Sequence, residues 1–189
     1  RLRGQHMTGN LTQALAAIDE ANSADPKGQA LDYGKRMTDE LSRLFPQAPE
    51  VLQIAARGQH VERWLLPRAD YPDGKEGYLA WRREQARRHG ARVAGILARA
   101  GYPEADCDRV VVLLRKEGLK RDPDVQALED VICFVFLRWY FGDFAATRSA
   151  DEVADIVTKT ARKMSFEGRA RVLGEFPLPD ALAAAFRAT

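Results

Sequence analysis

The sequence predicts an all-α protein. Apolar residues recur at spacings of three and four along most of the 189 residues, and no segment alternates cleanly between apolar and polar residues. Helix-start signals such as Asp122-Pro123 precede several of these segments. We expect one domain of about seven to nine helices over residues 7–189, because a chain of this length can bury a sizeable core.

Two apolar stripes with helical spacing open the chain: Leu11, Leu15 and Ile18, then Leu31, Met37, Leu41 and Leu44. Pro46 ends the second stripe, and Pro49 suits the first turn of a third helix, which we expect to run towards Trp64. Two prolines and two glycines in residues 67–77 then indicate an ordered loop.

A long helix is expected from about Gly77 to Ala100, and the segment 101–103, which contains Gly101 and Pro103, breaks it. Pro103 starts the next helix, with residues 110–114 as its core. By composition this apolar segment also fits a buried strand. We prefer a helix because charged residues flank the segment on both sides without turn signals.

Three further patterns describe the rest of the chain. Asp122 and Pro123 fit the N-cap and first position of a helix that reaches about Phe144. The segment from Ser149 to Glu152 has the spacing of a capping box and predicts another helix start. Two short helices are expected to close the chain, separated by residues 177–179.

Composition fits a globular protein and argues against some functions. The chain carries 29 basic and 27 acidic residues, and this near balance argues against a protein that coats nucleic acid. No apolar segment reaches the roughly 18 residues of a membrane span. Cys107 and Cys133 form no CxxC pair, and we expect Cys133 to be buried and the setting to be reduced and cytoplasmic. We expect residues 1–6 to be a vector-derived remnant, so His6 is not a candidate site residue.

His60 and His89, the other two histidines, are the first candidate site residues, and each lies in a segment with helical spacing. One side of the predicted 77–100 helix carries four polar or aromatic residues within roughly 60° of arc: Tyr78, Arg82, Gln85 and His89. Such a stripe suits a pocket wall better than a core. The alternative is the solvated face of a surface helix. Trp64, four residues after His60, favours a packed setting, because tryptophan is costly to leave in water.

Glu129 and Asp130 open an almost wholly apolar segment that predicts a buried helix. Carboxylates at such a position need partners, because unpaired burial is costly. One of the two can face a site while the other pairs with an arginine or lysine; a structural salt bridge is the alternative. Because two imidazoles and a carboxylate on three helices suit a metal ion, His60, His89 and Asp130 are the candidate ligands.

Basic residues in or beside these segments indicate an anionic ligand, because a guanidinium fork matches phosphate and carboxylate. The predicted ligand-binding set is Arg57, Arg63, Arg68, Tyr78, Arg82 and Gln85. Lys116 is a further basic residue beside these segments. We expect the 67–77 loop to cover the pocket beside His60 and Arg63, Arg68 and Arg82 to face inward. In the alternative, these three arginines pair at the surface with Glu62, Asp70 and Glu84, where such pairs contribute little.

Four motifs occur in order along the chain: Ala56 to Trp64, Pro67-Arg68 with Tyr71-Pro72, Gly77 to Arg82 with His89, and Asp122 to Asp130. On these motifs the chain resembles the domain of unknown function 4202 family, small all-helical proteins, over nearly everything from about Leu11 to Arg187. The resemblance implies a helical fold and no established activity.

More distantly, the chain resembles the HD superfamily of metal-dependent phosphohydrolases, whose pattern is a histidine, a His-Asp doublet and a final aspartate on helices. The resemblance assigns His60 to the first position, His89 to the doublet histidine and Asp130 to the final aspartate. Gly90 stands at the doublet aspartate, which binds metal and activates water in many members. This departure argues against a binuclear metal centre. Glu129 can replace the missing doublet aspartate only if its helix is rotated to present it.

Two functions follow for the predicted pocket. In the first, a divalent metal ion held by His60, His89 and Asp130 activates water to hydrolyse a small phosphoester or nucleotide, with Glu129 and Lys116 as catalytic groups. In the second, the pocket binds a small anionic or phosphorylated ligand without catalysis. A third hypothesis, an interaction module acting through its helical surface, has no sequence feature that favours it.

Overall fold

The computed structural model of the chain describes residues 9–187, and all regular secondary structure in this range is helical. Its α-helices are α1 (Leu11–Ser23), α2 (Gln29–Leu44), α3 (Glu50–Arg57), α4 (Lys75–Arg99), α5 (Glu104–Arg115), α6 (Pro123–Val135), α7 (Phe141–Ala146), α8 (Ala150–Lys163), α9 (Phe166–Glu175) and α10 (Asp180–Arg187). The predicted all-α class is confirmed. The expectation for residues 1–6, including His6, lies outside the described residues.

The described chain forms two compact units, one ending at Glu117 and the other beginning at Gly118. In the first unit α5 packs along α4, α3 packs against α2 and α5, and α1 contacts α2, α3 and α4. In the second unit α10 packs against α8 and α9, and α6 contacts α8. The expectation of one domain over residues 7–189 stays a prediction.

Apolar residues on the predicted helical stripes form the cores of these units. Nearly inaccessible side chains in the first unit include Ile18, Met37, Leu41, Ile54, Val93, Leu97 and Val110. Those in the second unit include Leu128, Val131, Phe134, Met164 and Val172. Full burial of one such aliphatic or aromatic side chain contributes about 1.5–3 kcal/mol. Because Val110 lies on α5, the helical interpretation of residues 110–114 is confirmed over the strand.

Two helices begin at the predicted capping residues. Asp122 caps α6 by accepting hydrogen bonds from the backbone N–H groups of Asp124 and Val125, at 3.0 and 3.3 Å, with Pro123 in the first turn. Ser149 caps α8 by accepting from the Glu152 N–H at 3.2 Å. These starts could be predicted because a cap is a local interaction between residues two or three positions apart.

The third helix is shorter than predicted, because α3 ends at Arg57 and His60 lies in a turn. Gly58 caps this end, and a Cβ there would lie 2.7 Å from Cγ2 of Val93. Glu62 then adopts the left-handed conformation, with φ 54° and ψ 26°, so a right-handed α-helix cannot continue through this residue. The prediction of a third helix that runs through His60 towards Trp64 is therefore wrong.

The helix expected from Asp122 to about Phe144 contains an irregular turn. Residues Phe136–Tyr140 form a π-helical turn between α6 and α7. Cys133, on α6, is 4% exposed, as predicted, and neither it nor Cys107 forms a disulfide. Within residues 9–187, no helix combines the length and the apolarity needed to cross a membrane.

The 67–77 loop is held by its own arginine. The Arg68 guanidinium donates hydrogen bonds to the carbonyl groups of Tyr71, Pro72 and Gly74, at 3.1, 2.9 and 3.4 Å. Gly77, in the first turn of α4, lies against the same loop: a Cβ at this position would lie 1.9 Å from the Pro72 carbonyl oxygen. The loop therefore has a defined shape that depends on Gly77.

We predict that Gly77→Ala lowers the free energy of unfolding by about 1–3 kcal/mol, because the methyl group overlaps a backbone oxygen that cannot rotate away. Gly95→Ala is the matched control on α4, since a Cβ there meets nothing within 4 Å. It should raise the free energy of unfolding by about 0.5–1 kcal/mol through helix propensity. Urea denaturation measures both changes. A Gly77→Ala protein as stable as wild type would contradict the close approach.

Candidate functional site: a His–Arg cluster

His60, Arg63 and His89 lie together in the first unit, and we call them the His–Arg cluster. The ring centroids of the two histidines are 6.4 Å apart, and Nη1 of Arg63 lies 2.7 Å from Nε2 of His60. A guanidinium can only donate, so Nε2 of His60 accepts and the neutral ring carries its proton on Nδ1. Two of the three predicted metal ligands thus lie near one another, one in the turn after α3 and one on α4.

Aromatic rings hold both sides of the cluster. Tyr33 of α2 stacks on His60, with ring centroids 3.7 Å apart and planes 10° from parallel. Cζ of Arg63 lies 4.9 Å from the ring centre of Trp81, and Nε1 of Trp81 donates to the Leu66 carbonyl group at 2.9 Å. A cation over a tryptophan ring contributes about 0.5–2 kcal/mol. The imidazole and the guanidinium are therefore both held in place by packing.

The C-terminal half of the polar stripe on α4, formed by Gln85 and His89, is buried. Gln85 and His89 are each 6% exposed, so the alternative of a solvated face is wrong for these two residues. Nε2 of Gln85 donates to the carbonyl groups of Arg63 at 2.9 Å and Leu66 at 3.2 Å. Gln85, predicted to bind ligand, thus fixes the backbone that carries Arg63.

Tyr78 and Arg82 lie at the outer end of the same stripe. Tyr78 is 43% exposed, and Cζ of the half-buried Arg82 lies 5.7 Å from the centre of its ring. Arg82 is close enough to Arg63 that its charge contributes to lowering the pKa of that guanidinium. The stripe therefore runs from a buried imidazole to an accessible aromatic ring and a second cation.

Burial keeps both imidazoles of the cluster neutral. Burial lowers the pKa of His60 well below 6.5, and the charges of Arg63 and Lys116 add to this effect. Burial likewise lowers the pKa of His89 to about 4, with Arg63 and Lys116 again contributing. Near neutral pH each ring is therefore an uncharged group with one N–H donor and one acceptor nitrogen.

The cluster is rich in positive charge. Burial lowers the pKa of Arg63, and no acidic group in residues 9–187 forms an ion pair with this guanidinium. Glu62 pairs with Arg92 at 3.1 Å, not with Arg63. The predicted surface pair of Arg82 is likewise absent, because Glu84 pairs instead with two other arginines, Arg87 and Arg88. Arg63 is therefore a half-buried cation without a described counter-charge.

One nitrogen of the cluster has no hydrogen-bond partner. Nε2 of His89 is buried, and no donor or acceptor in the described part of the chain contacts it. Buried polar atoms are satisfied in most structures, and an exception calls for an explanation. A small polar ligand between His89 and Arg63 would supply that partner.

Lys116 borders the cluster at the end of α5. Its backbone is left-handed, with φ 57° and ψ 36°, a conformation that favours glycine. Its charge contributes to lowering the pKa of both His60 and His89. Left-handed residues other than glycine are often retained at functional sites.

Two of the predicted ligand-binding arginines have structural partners. Nη1 of Arg57 lies 2.9 Å from both carboxylate oxygens of Asp19, and its Nε donates to Oγ1 of Thr38 at 2.8 Å. Arg57 thereby links α3 to α1 and α2. Arg68 donates to the carbonyl groups of its own loop, as described above.

The acidic pair lies buried in the second unit, with Glu129 2% and Asp130 4% exposed. Asp130 accepts hydrogen bonds from the backbone N–H and the hydroxyl group of Ser165, at 2.9 and 2.5 Å, and from Nε2 of Gln126 at 3.0 Å. Burial raises the pKa of Asp130, and these hydrogen bonds partly counteract that shift. Among the described residues, no group of three or more His, Cys, Asp or Glu side chains is arranged to hold a metal ion.

Comparison with models of known protein families assigns the chain to a family. Residues 12–185 match the model of a family described as "Domain of unknown function (DUF4202)". The chain belongs to this family. A search of curated proteins and a search of solved structures both return no match. The more distant resemblance to the HD superfamily therefore stays a prediction.

Two residues that shape the cluster of this DUF4202 member were missed by the sequence reasoning. Trp81 lies four residues before Gln85 on α4, and this spacing could have assigned it to the same stripe. Tyr33 offered no such signal, since it lies on a different helix and meets His60 only in the folded chain.

Gly90 lies on the side of α4 that packs against α5. The residue is buried, and a Cβ on it would lie 3.5 Å from both Cα and Cγ1 of Val111, an ordinary packing distance. A side chain at the position of the missing doublet aspartate would therefore begin against an apolar neighbour. An ionised carboxylate there would need a polar partner to offset its burial.

We predict that the two imidazoles make stability fall as the pH drops from about 6.5 towards 4. An unfolded histidine titrates near 6.5, whereas the folded pKa of His89 is about 4 and that of His60 is well below 6.5. Between these values the unfolded chain binds more protons than the folded one. Urea unfolding at several pH values measures the effect. His89→Gln should lose less stability on acidification than wild type, and equal losses would contradict the assigned burial of His89.

Proposed function

We propose that the His–Arg cluster binds a small anion, and that the physiological ligand carries a phosphate group. The observation that supports this most strongly is Arg63, a half-buried guanidinium without an acidic partner in the part of the chain described. Burying an unpaired charge is costly. A bound anion offsets that cost, because it provides the missing counter-charge inside the site.

The donors of the cluster suit a phosphate group. Arg63 uses one Nη for His60, and its remaining N–H groups are available for a bidentate contact with two phosphate oxygens. His89 can present an N–H at Nε2 when its proton is on that nitrogen. Lys116 adds a positive charge near both rings. An anion with several acceptor oxygens matches this set better than a neutral ligand does.

Arg82 and Tyr78 extend the proposed site towards solvent. Arg82 is half-buried and has no described acidic partner, so it can contact the part of the ligand that lies outside the cluster. Tyr78 exposes 43% of its surface beside it. In this proposal Arg63 and His89 bind the phosphate group itself, while Arg82 and Tyr78 bind what the phosphate is attached to.

We predict that inorganic phosphate raises the melting temperature of the wild-type protein, and that Arg63→Lys weakens phosphate binding by about tenfold or more, because one ammonium group cannot reproduce a fork of donors. Arg82→Lys should weaken the binding of phosphomonoesters more than that of inorganic phosphate. Arg83→Lys, at the exposed neighbouring position on α4, is the matched control and should bind like wild type. Thermal shift and calorimetry measure these changes. Either no response to any phosphate compound or equal affinities in all variants would refute the proposal.

A metal-dependent phosphohydrolase is the second candidate, and the neutral state of both imidazoles favours it. Neutral imidazole is the form that binds metal ions. The donor set fits a metal only in part. Nε2 of His89 has no described partner, but Nε2 of His60 already accepts from Arg63, and both oxygens of Asp130 accept hydrogen bonds. A metal at His60 would first have to displace the guanidinium.

Elemental analysis of protein purified without nickel resin or chelator separates the two candidates. The hydrolase proposal predicts about one divalent ion per chain and its loss in His89→Gln. The anion-binding proposal predicts much less than one divalent ion per chain, with equal content in wild type and in His89→Gln. Arg83→Lys serves as the control for handling, since its side chain is exposed.

A further inference from the structure

Arg63 follows a residue with unusual backbone geometry. Glu62 has φ 54°, one of three described residues other than glycine with a positive φ. Such a conformation is unfavourable for a residue with a Cβ, and it persists only where the surroundings fix it. Because Glu62 sits between His60 and Arg63, its conformation sets the direction in which the Arg63 side chain leaves the turn.

Two side chains outside the His–Arg cluster fix Glu62. Oδ1 of Asn22, on α1, accepts from the Glu62 N–H at 3.3 Å, and Asn22 is 1% exposed. Nε of Arg92, on α4, donates to Oε1 of Glu62 at 3.1 Å. One contact thus holds the backbone of residue 62, and the other holds its side chain.

We propose that Asn22 and Arg92 are positioning residues for Arg63, acting through the left-handed turn at Glu62. This inference rests on the proposed anion site and adds to it the residues that aim its main donor. Nδ2 of Asn22 has no hydrogen-bond partner in residues 9–187. The described hydrogen bond of this side chain is therefore the one that Oδ1 accepts from the Glu62 N–H. The side chain of Arg92 is 39% exposed, and an exposed ion pair of this kind contributes little to stability. A role in positioning explains both contacts.

The test compares two arginines of α4. Arg92→Ala and Arg99→Ala each remove one positive charge from the same helix, but only Arg92 contacts Glu62, and Arg99 is exposed without a described ion pair. We expect Arg92→Ala to weaken the binding of inorganic phosphate about fivefold. Arg99→Ala should change it less than about twofold, since a distant exposed charge is screened. Equal losses in the two variants would mean that charge alone acts through space, and would overturn the proposal.

A double-mutant cycle tests the route through Arg63. If Arg92 acts only by aiming Arg63, Arg92→Ala should cause no further loss of phosphate affinity in an Arg63→Ala background. A full additional loss in that background would overturn the proposal. Circular dichroism and thermal melting should show Arg92→Ala to be folded, because its pair is partly exposed.

Nuclear magnetic resonance separates this inference from the proposed function. If wild type binds no phosphate, the anion site is refuted, but the positioning claim is still decided by the ring nitrogens of His60. In wild type Nε2 accepts from Arg63. Both Arg92→Ala and Asn22→Ala should move the ¹⁵N signal of Nε2 away from its wild-type position, while Arg99→Ala should leave it in place. Unchanged signals in Arg92→Ala would overturn the proposal whether or not phosphate binds.

Discussion

The hydrogen bond from Nη1 of Arg63 to Nε2 of His60 is the interaction on which the rest of the site depends. It requires an uncharged imidazole, because a protonated ring would present a second donor to a guanidinium. Burial and the neighbouring charge of Lys116 meet that requirement by lowering the pKa of His60. The bond also holds Arg63 where no carboxylate neutralises it within the described residues. The same contact therefore links the neutral imidazole of His60 to a guanidinium that can bind an anion.

The cluster combines a regular element with an irregular one. The helix α4 supplies Trp81, Gln85 and His89 at successive spacings of four, so their relative positions are set by helix geometry. The turn after α3 supplies His60 and Arg63, whose positions depend on individual contacts with Tyr33, Trp81 and Gln85. The helix α4 thus carries the imidazole of His89, while the turn carries the imidazole of His60 and the cation of Arg63. Changes in affinity should accordingly be larger for substitutions that loosen the turn than for those on exposed parts of α4.

Sequence reasoning succeeded where a local rule controls the structure. The inward direction of Gln85 and His89 follows from a long helix with regular spacing, and the cap at Asp122 follows from adjacent residues. It failed after Arg57, because the apolar spacing continues through a turn whose course depends on the backbone at Glu62. It also could not separate arginines that pair from those that do not. Arg57 meets Asp19 across 38 positions, a contact that no local pattern predicts.

Binding of an anion between Arg63 and His89 can be observed in a crystal grown with tungstate. Tungstate has the shape and charge of a phosphate dianion, and the tungsten atom is located unambiguously by its anomalous scattering. We expect an anomalous peak whose bound oxygens lie about 2.7–3.0 Å from the Arg63 guanidinium and from Nε2 of His89. A peak only at exposed arginines, or none while the cluster keeps the contacts described above, would contradict it.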